Sequence, residues 1–231
     1  MVSSAAEVFE HRSRGTLGCV DPELTPRLRG LFHLWALVVS LVAGVVLVIL
    51  ADGAIATVSS WIYAGALAGM FGASALYHRF PWRTAACRMW ARRLDHAMIF
   101  VFIASSYTPF ALLRFHDSTR WLVLGLVWTG AALGLLLELA WIESPGWLKA
   151  IAYMTVGWVG VLAAPELFSA VGVPSAILLI AGGSLYTIGA IVFAFKWPNP
   201  LPRTLGFHEV FHLLVVAAAV TQFVAVSLIV M

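Results

Sequence analysis

This sequence is short of charge. Lys, Arg, Asp and Glu make up 11% of its 231 residues, less than half of the roughly 25% usual in soluble globular domains. So few charges cannot cover a water-exposed surface, which excludes a soluble enzyme. Cysteine is scarce too, and the two present, Cys19 and Cys87, make no disulfide framework. The first 30 residues lack the apolar core of a secretory signal peptide and carry Arg12, Arg14, Arg27 and Arg29 instead. No stretch alternates polar and apolar residues as a membrane β-barrel strand does. Internal repeats and low-complexity segments are also missing.

What the chain has in excess is apolar surface, 61% hydrophobic residues and a mean hydropathy of +0.94. Segments 32–50, 55–77, 94–113, 121–141, 148–164, 174–195 and 207–231 are each about long enough to cross a bilayer, which takes roughly 20 residues. The expected architecture is therefore an all-α membrane protein, a seven-transmembrane helix bundle over 31–231 behind a polar tail over 1–30. Segment 148–164 is the shortest, and its ends are the hardest to place. Twelve of the fourteen Lys and Arg residues fall on one side of this topology, against Arg114 and Arg120 on the other. The positive-inside rule then predicts a cytoplasmic N-terminus and an external C-terminus, in the cell membrane. A formal charge of +3 and a pI near 9.1 suit anionic lipid headgroups rather than nucleic acid. Asp21-Pro22-Glu23 could cap a short interfacial helix. Trp61, Trp82, Trp121, Trp141, Trp147 and Trp197 sit near predicted helix ends, as an interfacial belt does.

Polar residues inside such a chain are costly and need a partner. The stretch GFHEVFHLLV at the start of the seventh span carries His208 and His212, four residues apart and so on one helix face. Alternating helix directions bring two more ends to the same level. The end of the second span carries Ser74, Tyr77 and His78, and the start of the third carries Asp95 and His96. Three imidazoles with one open position are the ligand set of catalytic zinc, and Asp95 with a bound hydroxide would neutralise the ion. Plainer readings stand beside this one. The histidines could be hydrogen-bonded interfacial residues, Asp95 could pair with Arg92 or Arg93, and Ser74 could bond its own helix backbone. HEVFH also fits the zincin pattern, in which Glu209 would be the general base. Tyr77 and His96 read as packing or interface residues, and His11 and His116 carry no signal. Glu138 is expected to snorkel to the surface, Pro109 to kink its helix, and Gln222 to hydrogen-bond across helices.

PRLRGLFH, SALYHRF, LDHAMIFVFIASSYTPF and GFHEVFHLLVV follow one another as in the hemolysin III branch of the PAQR family, which this chain resembles from about residue 26 onward. That family also holds adiponectin and progestin receptors and is related to alkaline ceramidases. The resemblance implies zinc on His78, His208 and His212, with Asp95 holding a zinc-bound water and Ser74 beside it. Two positions depart from family patterns. Bacterial-type members often have a histidine where this chain reads Thr221-Gln222, and adiponectin receptors carry glutamine at the Glu209 position.

The expectation that follows is a zinc-dependent hydrolase of a lipid amide, ceramide-like or otherwise acylated. Asp95 would deprotonate the water, Ser74 would hold the water or the oxyanion, and a membrane lipid would be the substrate. Two alternatives remain. One is a receptor-like or membrane-homeostasis protein with a structural zinc, and the other is a cytolytic pore.

Overall fold

The computed structural model describes residues 26–231, apart from the side chains of Pro165 and Glu166. The sequence readings at Cys19, His11 and Asp21-Pro22-Glu23 lie outside the described residues. Seven helices are long and apolar enough to cross a membrane. They are α1 (Leu31–Leu50), α2 (Ala54–Arg79), α3 (Ala85–Arg114), α4 (Asp117–Ala140), α5 (Gly146–Gly157), α6 (Val173–Phe195) and α7 (Phe207–Val230). A 3-10 turn, Val159–Ala163, completes the α5 span, and a short helix, Ala164–Val171, leads to α6. The chain is thus a multi-pass membrane protein.

Sequential helices pack side by side, and α1 returns to α7, so the bundle closes on itself. The long α3 fills the middle, touching α2, α4, α5 and α7. Its buried face is rich in small and aromatic residues, including Ala97, Phe100, Phe102, Ala104, Phe110 and Ala111. The outside is apolar instead: Trp35, Val39, Val42 and Ile49 of α1 face outward while Ser40 and Gly44 face in. Small inward residues let helices approach closely, as membrane bundles require without a hydrophobic drive between helices. Gly44 shows this, since a Cβ there would stand 2.9 Å from the Cβ of Ala64.

Two expectations about helices need revision. α3 starts at Ala85, well before the apolar segment, because Thr84 caps it by accepting the Cys87 backbone N–H at 3.2 Å. Arg88, Arg92 and Arg93 are therefore helical, not loop residues. The span through α5 is broken after Gly157 rather than merely short. The Tyr107 hydroxyl of α3 mends the break by donating to the Gly157 carbonyl and accepting the Gly160 N–H at 3.1 Å. Non-helical backbone at membrane depth survives only where such protein partners satisfy it. α3 continues through Pro109 to Arg114.

The ends of the bundle are stitched across distant segments. On the face where α7 starts, the backbone N–H groups of Arg27 and Leu28 bond the carbonyls of Arg203 and Thr204 at 3.1 and 3.3 Å. On the opposite face the Asp52 N–H bonds the Val230 carbonyl at 2.8 Å.

Candidate metal site and its cavity

His78 is the penultimate residue of α2, while His208 and His212 occupy the first turns of α7. The directions of α2 and α7 bring these ends together. Nε2 of His208 lies 3.2 Å from Nε2 of His78, and one ligand atom from each of the three imidazoles falls within 4.8 Å of the others. Among the described residues this group can hold a metal ion. His212 is buried, and its Nδ1 has no hydrogen-bond partner. A buried nitrogen left so is costly in an apolar interior, and two imidazoles this close repel unless they share a proton or a cation. The donor set therefore fits a metal ion well.

Asp95, ten residues into α3, sits beside this group and is buried. Its Oδ2 is 3.7 Å from His78 Nε2, so the carboxylate faces the histidines. Ser74, one turn before His78, is also buried, and its hydroxyl does not bond its own helix. Instead it meets His33 Nδ1 at 2.7 Å. The five residues singled out in the sequence thus share one site.

His33 was not among them, although it ends the motif PRLRGLFH. Its ring stacks on His212 with centroids 3.8 Å apart and planes 12° from parallel, and it reaches Ser74 from the first turn of α1. The signal was a histidine opening an apolar span; what hid it was the distance in sequence between α1 and α7. Gly30 just before it has φ 72°, and a Cβ there would stand 2.5 Å from the His78 Cβ. Glycine is needed for the left-handed backbone and for the close approach.

Glu209 turns away from the cluster. Its Oε2 accepts the Gly206 N–H at 2.9 Å, the carboxylate half of an α7 capping box. Its Oε1 stands 2.5 Å from Arg29 Nε, in an ion pair not aligned as a hydrogen bond. The HEVFH glutamate caps a helix and anchors the N-terminal segment.

Behind Asp95 lies a second polar group that the sequence reading misjudged. Glu138 does not snorkel: it is 0% exposed and pairs with Lys149, 2% exposed, at 2.6 Å. Lys149 Nζ also donates to the Ile142 carbonyl at 3.0 Å and meets His96 Nδ1 at 3.2 Å. His96 is therefore neither interfacial nor idle packing. The same Nδ1 lies 3.4 Å from Glu138 Oε2, so His96 joins this polar group.

From the histidines a cavity of about 320 Å³ runs into the bundle. That is near the low end of the roughly 300–1,000 Å³ range of ligand pockets. His33, Ser74, Asp95, His208 and His212 line one end, and Phe110, Phe115, Val215 and Gln222 mark its reach. His208 and Gln222 are fourteen residues apart on α7, or about 21 Å. The wall between α5 and α6 carries Trp158, Val161, Phe168 and Ile180, which line the cavity and are also exposed on the outside. The cavity therefore borders the surface that faces lipid.

A seven-helix membrane bundle with three histidines gathered at one end of an apolar cavity defines the class. The chain belongs to the Haemolysin-III related family, which matches residues 23–223. Hemolysin-3 of Bacillus cereus is 31% identical over 133 residues, 58% of this chain and 58% of that protein. The Hemolysin-3 homolog of Bacillus subtilis (strain 168) is 27% identical over 133 residues, covering 58% and 60%. Monocyte to macrophage differentiation factor of Homo sapiens is 26% identical over 201 residues, covering 84% and 79%. The matches to the two bacterial relatives thus span about three-fifths of their length.

Proposed function

We propose that the chain is a zinc-dependent hydrolase that cleaves an acylated lipid amide within the membrane, on the cytoplasmic side. One observation carries the reading: His208 and His212 of the three-histidine group, with Asp95 and Ser74, line one end of an apolar cavity. Two nitrogens bound tetrahedrally to one zinc at about 2.0–2.1 Å stand roughly 3.3 Å apart, close to the 3.2 Å between His78 and His208. When bound there, zinc would polarise the amide carbonyl and acidify a water molecule.

The chain's own groups do the rest. Asp95 takes the proton from the attacking water at a carboxylate oxygen as the water oxygen bonds the carbonyl carbon. As the C–N bond breaks, Asp95 returns that proton to the leaving amine, so one water is consumed and an acid and an amine are released. Ser74, whose hydroxyl meets His33, would steady the water or the developing oxyanion. The apolar walls keep the acyl chain out of water, and the α5–α6 wall offers a sideways entrance for lipid.

A second reading, a receptor-like or membrane-homeostasis protein with a structural zinc, also has support. α2 and α7 share little contact, so a metal on His78, His208 and His212 would tie them. The discriminating experiment measures zinc content and turnover of a fluorescent N-acyl sphingosine in wild type and Asp95→Asn. Retained zinc with turnover lost supports hydrolysis. Retained zinc with unchanged biological activity in a deletion strain supports the structural role and ends the hydrolase reading.

A further inference from the structure

The cavity is not apolar to its end. Tyr186 of α6 and Gln222 of α7 line it far from the histidines, and the Tyr186 hydroxyl and Gln222 Oε1 are buried without a hydrogen-bond partner. Gln222 thus lacks the cross-helix bond expected for its carbonyl. Tyr63 of α2, 0% exposed, holds a third hydroxyl in the same condition, and it stands close enough to Tyr186 to interact electrostatically. Phe102 sits between the two rings, 6.0 Å from Tyr63 and 6.4 Å from Tyr186. Tyr63 in turn lies 6.2 Å from Phe223, the neighbour of Gln222. Each unpaired buried group costs about 1–3 kcal/mol, and native interiors leave few of them. Three gathered near one cavity point to a bound polar group.

Their depth can be placed. Gln222 lies ten residues beyond His212 on α7, about 15 Å deeper. Phe193 of α6 packs 6.1 Å from His208, and Tyr186 is seven residues before it, about 10 Å deeper. Helical side chains lean toward their own N-terminus. Since α6 runs toward the histidines and α7 away from them, Tyr186 leans deeper and Gln222 leans back. Their polar ends converge in the middle of the bundle.

We propose that this is a second recognition site, which takes a hydroxyl group carried in mid-chain by the acyl lipid whose head lies at the histidines. The proposal rests on the acyl-lipid reading of the cavity. A hydroxyl both donates and accepts, so it can accept from the Tyr186 hydroxyl and donate to Gln222 Oε1. A charged group is ruled out, because none of the three residues carries a countercharge.

The test is binding to the zinc-loaded full chain in lipid nanodiscs, with two probes. One is stearic acid, and the other is a hydroxystearic acid with its hydroxyl near the middle of the chain. The hydroxylated acid should bind about tenfold more tightly, as one well-made buried hydrogen bond implies. Tyr186→Phe and Gln222→Leu should each bring the ratio close to one, and the first is nearly isosteric. Equal affinity of both acids in wild type overturns the site, as it would if ordered water already satisfied these groups, and leaves the acyl-lipid reading intact. Binding of neither acid overturns both.

Discussion

Asp95 and Glu209 are the two carboxylates near the histidines, and their surroundings assign them different work. Asp95 faces His78 and the cavity, whereas Glu209 is spent on the Gly206 N–H and Arg29. Asp95→Asn should keep zinc and lower turnover by about two to four orders of magnitude, the usual loss with a general base. Glu209→Gln should keep zinc and turnover while lowering stability by about 1–2 kcal/mol, since Arg29 loses its countercharge; thermal melts and metal analysis of the same preparations check both. If Glu209→Gln proved inactive and Asp95→Asn active, the zincin-like reading would replace ours. His78→Ala, His208→Ala and His212→Ala should each release most of the metal, and retention by any one removes it from the ligand set. The i, i+4 spacing made His208 and His212 legible from sequence, and alternating helix direction did the same for His78, Asp95 and Ser74. His33 and the Glu138–Lys149 pair were not legible, because each depends on contact between helices that periodicity does not describe.

The helices themselves were mostly readable, since an apolar run of bilayer length is a signal that local chemistry alone sets. The misjudged stretches are those held by a side chain from elsewhere. The α5 break depends on the Tyr107 hydroxyl, which bridges Gly157 and Gly160 from α3. Tyr107→Phe should leave two backbone groups unpaired, lower stability by about 1–3 kcal/mol, and raise amide hydrogen exchange across residues 157–163 more than elsewhere. Unchanged exchange there would mean that the 3-10 turn stands without the tyrosine. The α4–α5 junction depends on Glu138 and Lys149. Removing either partner alone, as in Glu138→Leu or Lys149→Met, strands a buried charge and should cost about 3–5 kcal/mol, whereas the double mutant should cost less than either. Unfolding of the four proteins in one detergent decides it; additive losses would mean that the two side chains act separately.

Seven spans put Pro26 and Met231 on opposite faces, and the charge asymmetry predicts which face is which. Reporter fusions in the α2–α3, α4–α5 and α6–α7 connections should read cytoplasmic and a fusion after Met231 external; a uniform reversal would move the histidine site to the outside. Any mixed result would contradict the seven-span order. The histidine site also has a history in time. His78 and His208 are 130 residues apart, so at about 5–20 residues per second of synthesis roughly 7–26 seconds separate their appearance. The segments that meet at the site, at the beginnings of α1 and α7, are separated by still longer. Late in that interval His33, His78 and Asp95 are already made while two of the three candidate ligands, His208 and His212, have yet to leave the ribosome. Until the last helix arrives, α6, α1 and α3 lack the neighbour they pack against, and the proposed metal site has one of its three ligands.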